Sequence, residues 1–185
     1  MTVVFGLGNP GPEYGKTRHN VGAETLQRMA AHYQITLKRR CFSSYMKAET
    51  ESVRLVFPLT FMNSSGKVVP KVVSEGDDVI VICDQMDLPP GRIRLRMGGS
   101  SSAGHNGLKS MMEYLPDGFA RMYIGVGRPQ EGVAVPDHVL SPFSESDRIL
   151  IDRAEEKAAD ILIRLLAGEE KQERLIQEAN SYRAE

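Results

Sequence analysis

The sequence has only two cysteines, no long apolar run and no charged leader at its start. Cys41 and Cys83 fit neither a C-x-x-C motif nor a Cys/His ligand spacing, which favours a reducing compartment. No apolar run approaches the roughly 20 residues that cross a bilayer, and the first residues lead directly into a predicted strand. We therefore expect a soluble, cytoplasmic protein without a targeting segment.

Two common signatures of hydrolases are also absent. The sequence contains no G-x-S-x-G nucleophile motif and no H-E-x-x-H metal motif. The serines at 100–102 belong to a predicted flexible Gly/Ser loop, where a nucleophile would be poorly held. These absences disfavour a covalent serine mechanism and a metal-dependent one.

The charge is nearly balanced overall but uneven along the chain. The net charge is -1 at pH 7. Residues 1–143 carry 16 Lys and Arg against 13 Asp and Glu, a net of +3, and residues 144–185 carry 7 against 11, a net of -4. This asymmetry is compatible with an RNA partner and equally with an acidic, solvated helix, so only local clustering of basic residues can decide.

The segment 6–20, GLGNPGPEYGKTRHN, is the most distinctive part of the chain. Its glycines match the G-x-G-x-x-G dinucleotide fingerprint, which requires a helix to begin at the glycines. Pro10 and Pro12 oppose such a helix, and apolar periodicity starts only at Val21. The pattern therefore predicts a shaped loop at the end of a core strand, where functional residues are often found.

Hydrophobic periodicity predicts alternating strands and helices in a chain long enough for a single domain over residues 1–185. The strand at 79–83 is apolar on both faces, as expected of a buried central strand. The pattern predicts an α/β fold with one mixed, twisted sheet surrounded by helices and with C-terminal helices from about residue 144. Strands are predicted at 2–7, 45–50, 53–57, 79–83, 92–97 and 119–127, and helices at 20–34, from 63, at 106–115, at 144–167 and after Gly168.

A histidine and an aspartate are candidates for general-base chemistry. His19 ends the shaped loop just before a helix, and Asp84 follows the central apolar strand. An aspartate that accepts from one imidazole nitrogen leaves the other free to take a proton from water. A structural histidine and a turn aspartate explain the same positions. His32 and His138, in a helix and a late loop, suit surface or packing roles better.

Three asparagines, Asn9, Asn63 and Asn106, each follow a core segment. Helix caps are the usual role of asparagine at such boundaries, and this explains each one singly. Together with a histidine and an aspartate, they would also suit a polar hydrolytic site, since an amide offers both a donor and an acceptor.

Residues 92–97 alternate with period two. Arg92, Arg94 and Arg96 therefore share one face, with Ile93, Leu95 and Met97 on the core side. The arginines are spaced about 6 to 7 Å apart, which allows them to contact successive phosphates. A solvated strand face paired with acidic neighbours is an equally good explanation.

Five ordered blocks of the sequence resemble the bacterial-type peptidyl-tRNA hydrolases, and they extend over nearly the whole chain. The blocks are GLGNPGPEYGKTRHNVG, PLTFMNSSGKVV, ICDQMDLPPGRIRLR, GHNGLKS and YIGVGRP. The resemblance implies hydrolysis of the ester between a peptide and the terminal ribose of tRNA, without metal or cofactor, by a protein that is usually a monomer.

The resemblance also assigns roles to single residues. His19 would be the general base, Asp84 would orient it, and Asn9 would help to distinguish blocked from free aminoacyl ends. Asn63 and Asn106 would position substrate and water. The remaining assignments concern the tRNA: Tyr14 and Phe61 would line the pocket near the acceptor end, and Arg94 and Arg96 would approach the 5′-phosphate.

Two positions depart from the family pattern. Tyr123 stands where the family commonly has Arg or Lys, so phosphate recognition would rest on the arginine strand alone. Residues 100–103 are less glycine-rich than usual, which would stiffen the loop before His105 and Asn106. Two rival functions remain: a non-catalytic RNA-binding protein on this fold, and a small-molecule esterase that needs no RNA.

Overall fold

Seven strands form one sheet in this computed structural model, which describes residues 1–99 and 101–185. The strands are β1 (Thr2–Gly6), β2 (Lys38–Arg39), β3 (Tyr45–Glu49), β4 (Val53–Pro58), β5 (Asp78–Gln85), β6 (Ile93–Arg96) and β7 (Ala120–Gly125). Across the sheet they lie in the order β2-β3-β4-β1-β5-β7-β6.

The four central strands are parallel and the outer ones antiparallel. β1 lies between β4 and β5 and runs parallel to both, and β5 pairs in parallel with β7. β2, β3 and β6 complete the sheet through antiparallel pairs. The mixed α/β sheet predicted from the sequence is thus confirmed. The carboxyl ends of β1, β4, β5 and β7 meet at one edge.

Helices cover both faces of the sheet. On one face, Leu26 and Leu162 pack against Ile82 in a fully buried cluster. On the other, Leu108 and Met111 pack with Phe5. The helices are α1 (Val21–His32), α2 (Val69–Val72), α3 (Asn106–Met112), α4 (Val135–Val139), α5 (Glu145–Ala167) and α6 (Gln172–Ser181), with short 3₁₀ helices at Pro12–Tyr14, Arg18–Asn20 and Met62–Val68.

The long C-terminal helix begins and ends close to the predicted positions. The Ser144 hydroxyl accepts from the Asp147 amide at 3.1 Å and caps the start of α5, and Gly168 ends it in the left-handed region. Leu175 and Ala179, both fully buried, then anchor the inner face of α6 to the core, and the rest of this helix is largely exposed. Within the described residues, no helix combines the length and apolar content that a bilayer crossing requires.

Some local predictions were wrong. Met97 is exposed rather than in the core, because β6 ends at Arg96 and the chain turns at Gly98. His138 lies in α4, not in a loop. The short strand β2 was not predicted, because its two exposed basic residues carry no apolar alternation. Of the predicted flexible loop, Ser100 lies outside the described residues.

Candidate active site

A cavity of about 320 Å³ opens at the carboxyl edge of the parallel strands. Seven of the nine site residues predicted from the sequence line it; Arg94 and Arg96 lie elsewhere. The seven are Asn9, Tyr14, His19, Phe61, Asn63, Asp84 and Asn106. They come from four separate segments of the chain, which the parallel strands and the helices that follow them bring to one place.

His19 reaches the cavity from the 3₁₀ helix Arg18–Asn20, which leads directly into α1. Close packing of α1 on the sheet fixes the position of His19. Gly22 allows this packing, because a Cβ at this position would collide with the Ile82 carbonyl oxygen on β5. The His19 Nδ1 lies 2.7 Å from Oδ1 of Asp84, within hydrogen-bond distance. Its side chain is 13% exposed.

Asp84 lies near the end of β5, with its side chain only 3% exposed. Burial by itself raises the pKa of this carboxyl, but the charges and hydrogen bonds of His105 and His19 outweigh burial and hold the pKa well below its usual range. Asp84 is therefore a carboxylate at neutral pH and accepts hydrogen bonds from its neighbours.

His105 is a second partner of Asp84, and sequence reasoning did not identify it as a site residue. It caps α3: its Nδ1 accepts from the Leu108 amide at 3.2 Å, and its Nε2 lies 2.9 Å from Oδ1 of Asp84. Because an amide can only donate, Nδ1 is unprotonated and the proton is assigned to Nε2. The sequence feature that could have identified His105 is its position directly before a predicted helix.

The two imidazoles therefore converge on one carboxylate oxygen. Their ring centroids are 5.0 Å apart and the rings are tilted by 48°. If His19 donates from Nδ1 to Asp84, as His105 does from Nε2, its own Nε2 carries a lone pair. Among the described residues, none hydrogen-bonds to that Nε2. The site thus offers one oriented imidazole base at the cavity wall.

Asn9 is held by backbone and side-chain contacts on both sides. Its Oδ1 accepts from the Met62 amide at 2.9 Å. Its own amide donates to Asn20 Oδ1 at 2.9 Å, and its carbonyl accepts from Asn20 Nδ2 at 3.0 Å. With Oδ1 occupied, the Nδ2 of Asn9 is the donor left for a molecule in the cavity.

The mouth of the cavity combines polar and aromatic side chains. Asn63 lies in the 3₁₀ helix Met62–Val68, Asn106 is the first residue of α3, and both are exposed. The Phe61 ring is 65% exposed at the rim, and Tyr14 is half-buried in the 3₁₀ helix Pro12–Tyr14. Such aromatic faces can stack on a base or a ribose.

α4 supplies an apolar wall that was not predicted from the sequence. Val135, Pro136, Val139 and Leu140 line this side of the cavity. The Arg18 guanidinium ties the segment to the His19 loop: its Nη1 donates to Ser141 Oγ at 2.7 Å and to the Pro142 carbonyl at 2.6 Å.

Arg94 and Arg96 lie on the edge strand β6, outside the cavity. Both are exposed, as their alternation predicted, and they pair across the ladder with Tyr123 and Arg121. Arg121 is 1% exposed and donates to the carbonyls of Gly98 and Phe119. Arg92 differs from the other two: it is half-buried, and its Nη2 donates to the Asn180 carbonyl.

Ligand atoms of His19, Asp84 and His105 lie within 4.8 Å of one another, which is close enough for a metal site. Their geometry suits hydrogen bonds better. The 2.7 Å between His19 Nδ1 and Asp84 Oδ1 is shorter than the roughly 3.3 Å between neighbouring ligands of a tetrahedral ion at about 2.0 Å. His105 also uses Nδ1 to cap α3.

Comparison with known proteins gives a consistent result. The sequence profile of the family described as peptidyl-tRNA hydrolase matches residues 3–185. The peptidyl-tRNA hydrolase of Geobacillus kaustophilus is 45% identical over 168 residues, covering 86% of this chain and 90% of the relative. That of Persephonella marina is 39% identical over 173 residues, covering 90% and 91%.

A solved structure agrees with the sequence relatives. The crystal structure of peptidyl-tRNA hydrolase from Acinetobacter baumannii superposes with a TM-score of 0.87 at 33% identity, covering 100% of this chain and 97% of that one. The resemblance seen in the five sequence blocks is thus confirmed over the full fold. This chain belongs to the peptidyl-tRNA hydrolase family.

Proposed function

We propose that this chain hydrolyses the ester bond between a peptide and the terminal ribose of tRNA, with His19 as general base. The observation that carries the mechanism is the hydrogen bond from His19 Nδ1 to the buried Asp84, which leaves Nε2 free at the wall of the cavity. Family membership supports the substrate.

The reaction begins with a water molecule held near His19 Nε2. The imidazole takes one proton as the water oxygen attacks the ester carbonyl, and Asp84 stabilises the resulting imidazolium. Negative charge develops on the former carbonyl oxygen, where the Nδ2 of Asn9 is a suitable donor. Collapse breaks the bond to the ribose oxygen, which takes the proton back from His19.

One base suffices because the leaving group is a ribose alcohol. A general base contributes about 10² to 10⁴-fold in rate, which suits an activated ester better than an amide. Asn63 and Asn106 position substrate and water at the cavity mouth, and Tyr14 and Phe61 contact the acceptor end. Selectivity for a blocked amino group is assigned to Asn9.

Arg94 and Arg96 contact the 5′-phosphate in this proposal. They are exposed on one edge strand, and their separation from the cavity is consistent with a substrate that extends beyond the ester. Tyr123 pairs with Arg94 where the family commonly places a cation, so these two arginines carry the phosphate contact.

We further propose that residues 1–185 form one domain that acts as a monomer in the cytoplasm, without metal or cofactor. Every group in the mechanism comes from one chain, which supports a monomer. The C-terminal helices α5 and α6 pack into the same core cluster as the sheet, which supports a single domain.

The test is release of the blocked amino acid from N-acetyl-aminoacyl-tRNA, with unblocked aminoacyl-tRNA and a simple alkyl ester as parallel substrates. We expect rapid cleavage of the blocked tRNA alone. Binding of tRNA without cleavage would favour a non-catalytic RNA-binding protein. Turnover of the simple ester with no salt dependence of KM would favour a small-molecule esterase.

A further inference from the structure

Asn20 is a buried residue next to the proposed base, and neither the sequence blocks nor the mechanism above gives it a role. Its side chain is matched to the backbone of Asn9 by a reciprocal pair of hydrogen bonds, 2.9 Å from the Asn9 amide to Oδ1 and 3.0 Å from Nδ2 to the Asn9 carbonyl. Asn20 and Asn9 are only 4% and 7% exposed.

This pairing requires an asparagine. One partner is an N–H and the other a C=O, so the side chain must offer one acceptor and one donor side by side, and its orientation is fixed by that chemistry. Glutamine is longer by one carbon–carbon bond, about 1.5 Å. A carboxylate would place a negative oxygen against the Asn9 carbonyl, and alanine would leave two buried backbone groups without partners.

The neighbouring backbone is adapted to the same contact. A Cβ on Gly8 would lie 3.0 Å from both Cγ and Nδ2 of Asn20, closer than side chains ordinarily pack. Gly8 therefore lets the Asn9 backbone approach the Asn20 amide. Asn20 also follows His19 in the same 3₁₀ helix, so one short segment holds both the proposed base and the partner of Asn9.

We propose that Asn20 is a positioning residue that acts through Asn9. It fixes the Asn9 backbone while the Met62 amide fixes Asn9 Oδ1, and the two contacts together aim the Asn9 Nδ2 donor into the cavity relative to His19. This inference rests on the proposed function, because it assigns Asn20 to the reaction in which Asn9 takes part. Misplacement of a group by about 1 Å costs on the order of 100-fold in rate.

The test compares kcat/KM of the wild type, Asn20→Ala and Asn20→Asp on N-acetyl-aminoacyl-tRNA between pH 5.5 and 8. We expect Asn20→Ala to lose about 10- to 100-fold at every pH relative to wild type. Asn20→Asp should lose at least as much at pH 8 and recover as the pH falls, because a protonated carboxyl offers a carbonyl and an O–H in place of the amide groups.

Dividing kcat/KM of each variant by the wild-type value at the same pH removes the contribution of His19 to the pH profile. Lys16 and Glu24 line a cavity beside Asn9 and Asn20, and any effect of these two charged groups on the pH profile is also present in Asn20→Ala, which serves as the reference. Gly8→Ala is a second variant, which crowds the Asn20 side chain without altering the cavity lined by His19. We expect this variant to lose activity as well.

A wild-type kcat/KM for folded Asn20→Ala, or an Asn20→Asp ratio that does not change with pH, would overturn the inference. If Asn20→Ala does not fold, the pH response of Asn20→Asp decides. Failure of the wild type to cleave N-acetyl-aminoacyl-tRNA would instead overturn the proposed function, so the two failures are distinguishable.

Discussion

Nε2 of His105 donates to Oδ1 of Asp84 across 2.9 Å. That oxygen is also the partner of His19 Nδ1, at 2.7 Å. His105 therefore fixes the position in which this carboxylate oxygen accepts a hydrogen bond from His19. A fixed Asp84 in turn orients the proposed base.

Replacing His105 with alanine should therefore lower activity through Asp84. Without this donor, the Asp84 carboxylate is held less firmly against His19, so kcat should fall by about 10- to 100-fold with little change in KM. The measurement is steady-state kinetics on N-acetyl-aminoacyl-tRNA. His32→Ala, on the exposed end of α1, is the control, and a wild-type kcat in a folded His105→Ala variant would contradict the role.

Asp84→Asn should lower kcat by about 10³-fold with little change in KM. The amide has nearly the shape of the carboxylate, but it carries no charge to stabilise the imidazolium and brings an N–H group toward a histidine donor. Steady-state kinetics separates the two constants. A rise in KM at constant kcat would place Asp84 in substrate binding instead.

Much of this arrangement could be predicted from the sequence. The apolar segment at 79–83 indicated a buried central strand, and Asp84 directly after it was a candidate for the carboxyl edge of the sheet. The alternation at 92–97 correctly placed Arg94 and Arg96 on the exposed face, and Ser144 with Asp147 correctly marked the start of α5.

The contacts that complete the site could not be predicted in the same way. His105 contacts Asp84, 21 residues away in the chain, and Asn20 contacts Asn9, 11 residues away. Local periodicity of the sequence does not indicate such pairs. The short helix α4 has too few residues for a helical pattern to appear, yet it forms one wall of the cavity. Met97 follows the alternation but lies one residue beyond the end of its strand.

The arginine strand gives a prediction about salt. Arg94→Ala and Arg96→Ala should each raise KM at constant kcat, and each should reduce the slope of log(kcat/KM) against log salt by about 0.7 to 0.9, as expected for one lost phosphate contact. Kinetics at several salt concentrations measures the slope. Arg174→Ala, on exposed α6, is the matched control; equal slopes in all three variants would argue against a phosphate contact at β6.

A stability prediction concerns the packing of α6. Hydrogen bonds from Arg164, then from Lys157, lower the pKa of Glu178 to about 2. Because this folded-state pKa is below the unfolded value of about 4.3, the stabilisation is present above about pH 4.3 and is lost as the pH falls toward 2.

Glu178→Gln should therefore lower the free energy of unfolding by about 0.5 to 1 kcal/mol at pH 7, a figure reduced for solvent screening of this surface cluster. The difference from wild type should disappear near pH 2. Thermal unfolding at both pH values tests this, and a single transition is expected if residues 1–185 form one domain. An undiminished difference at pH 2 would argue against the ion pairs.

The most direct test of the account is single-turnover cleavage of N-acetyl-aminoacyl-tRNA by wild type, His19→Ala, Asp84→Asn and the double variant. If the two residues act as one unit, His19→Ala should lose about 10² to 10⁴-fold, and adding Asp84→Asn should cost little more. Wild-type rates in a folded His19→Ala variant, or losses that multiply in the double variant, would contradict the proposal that Asp84 acts through His19.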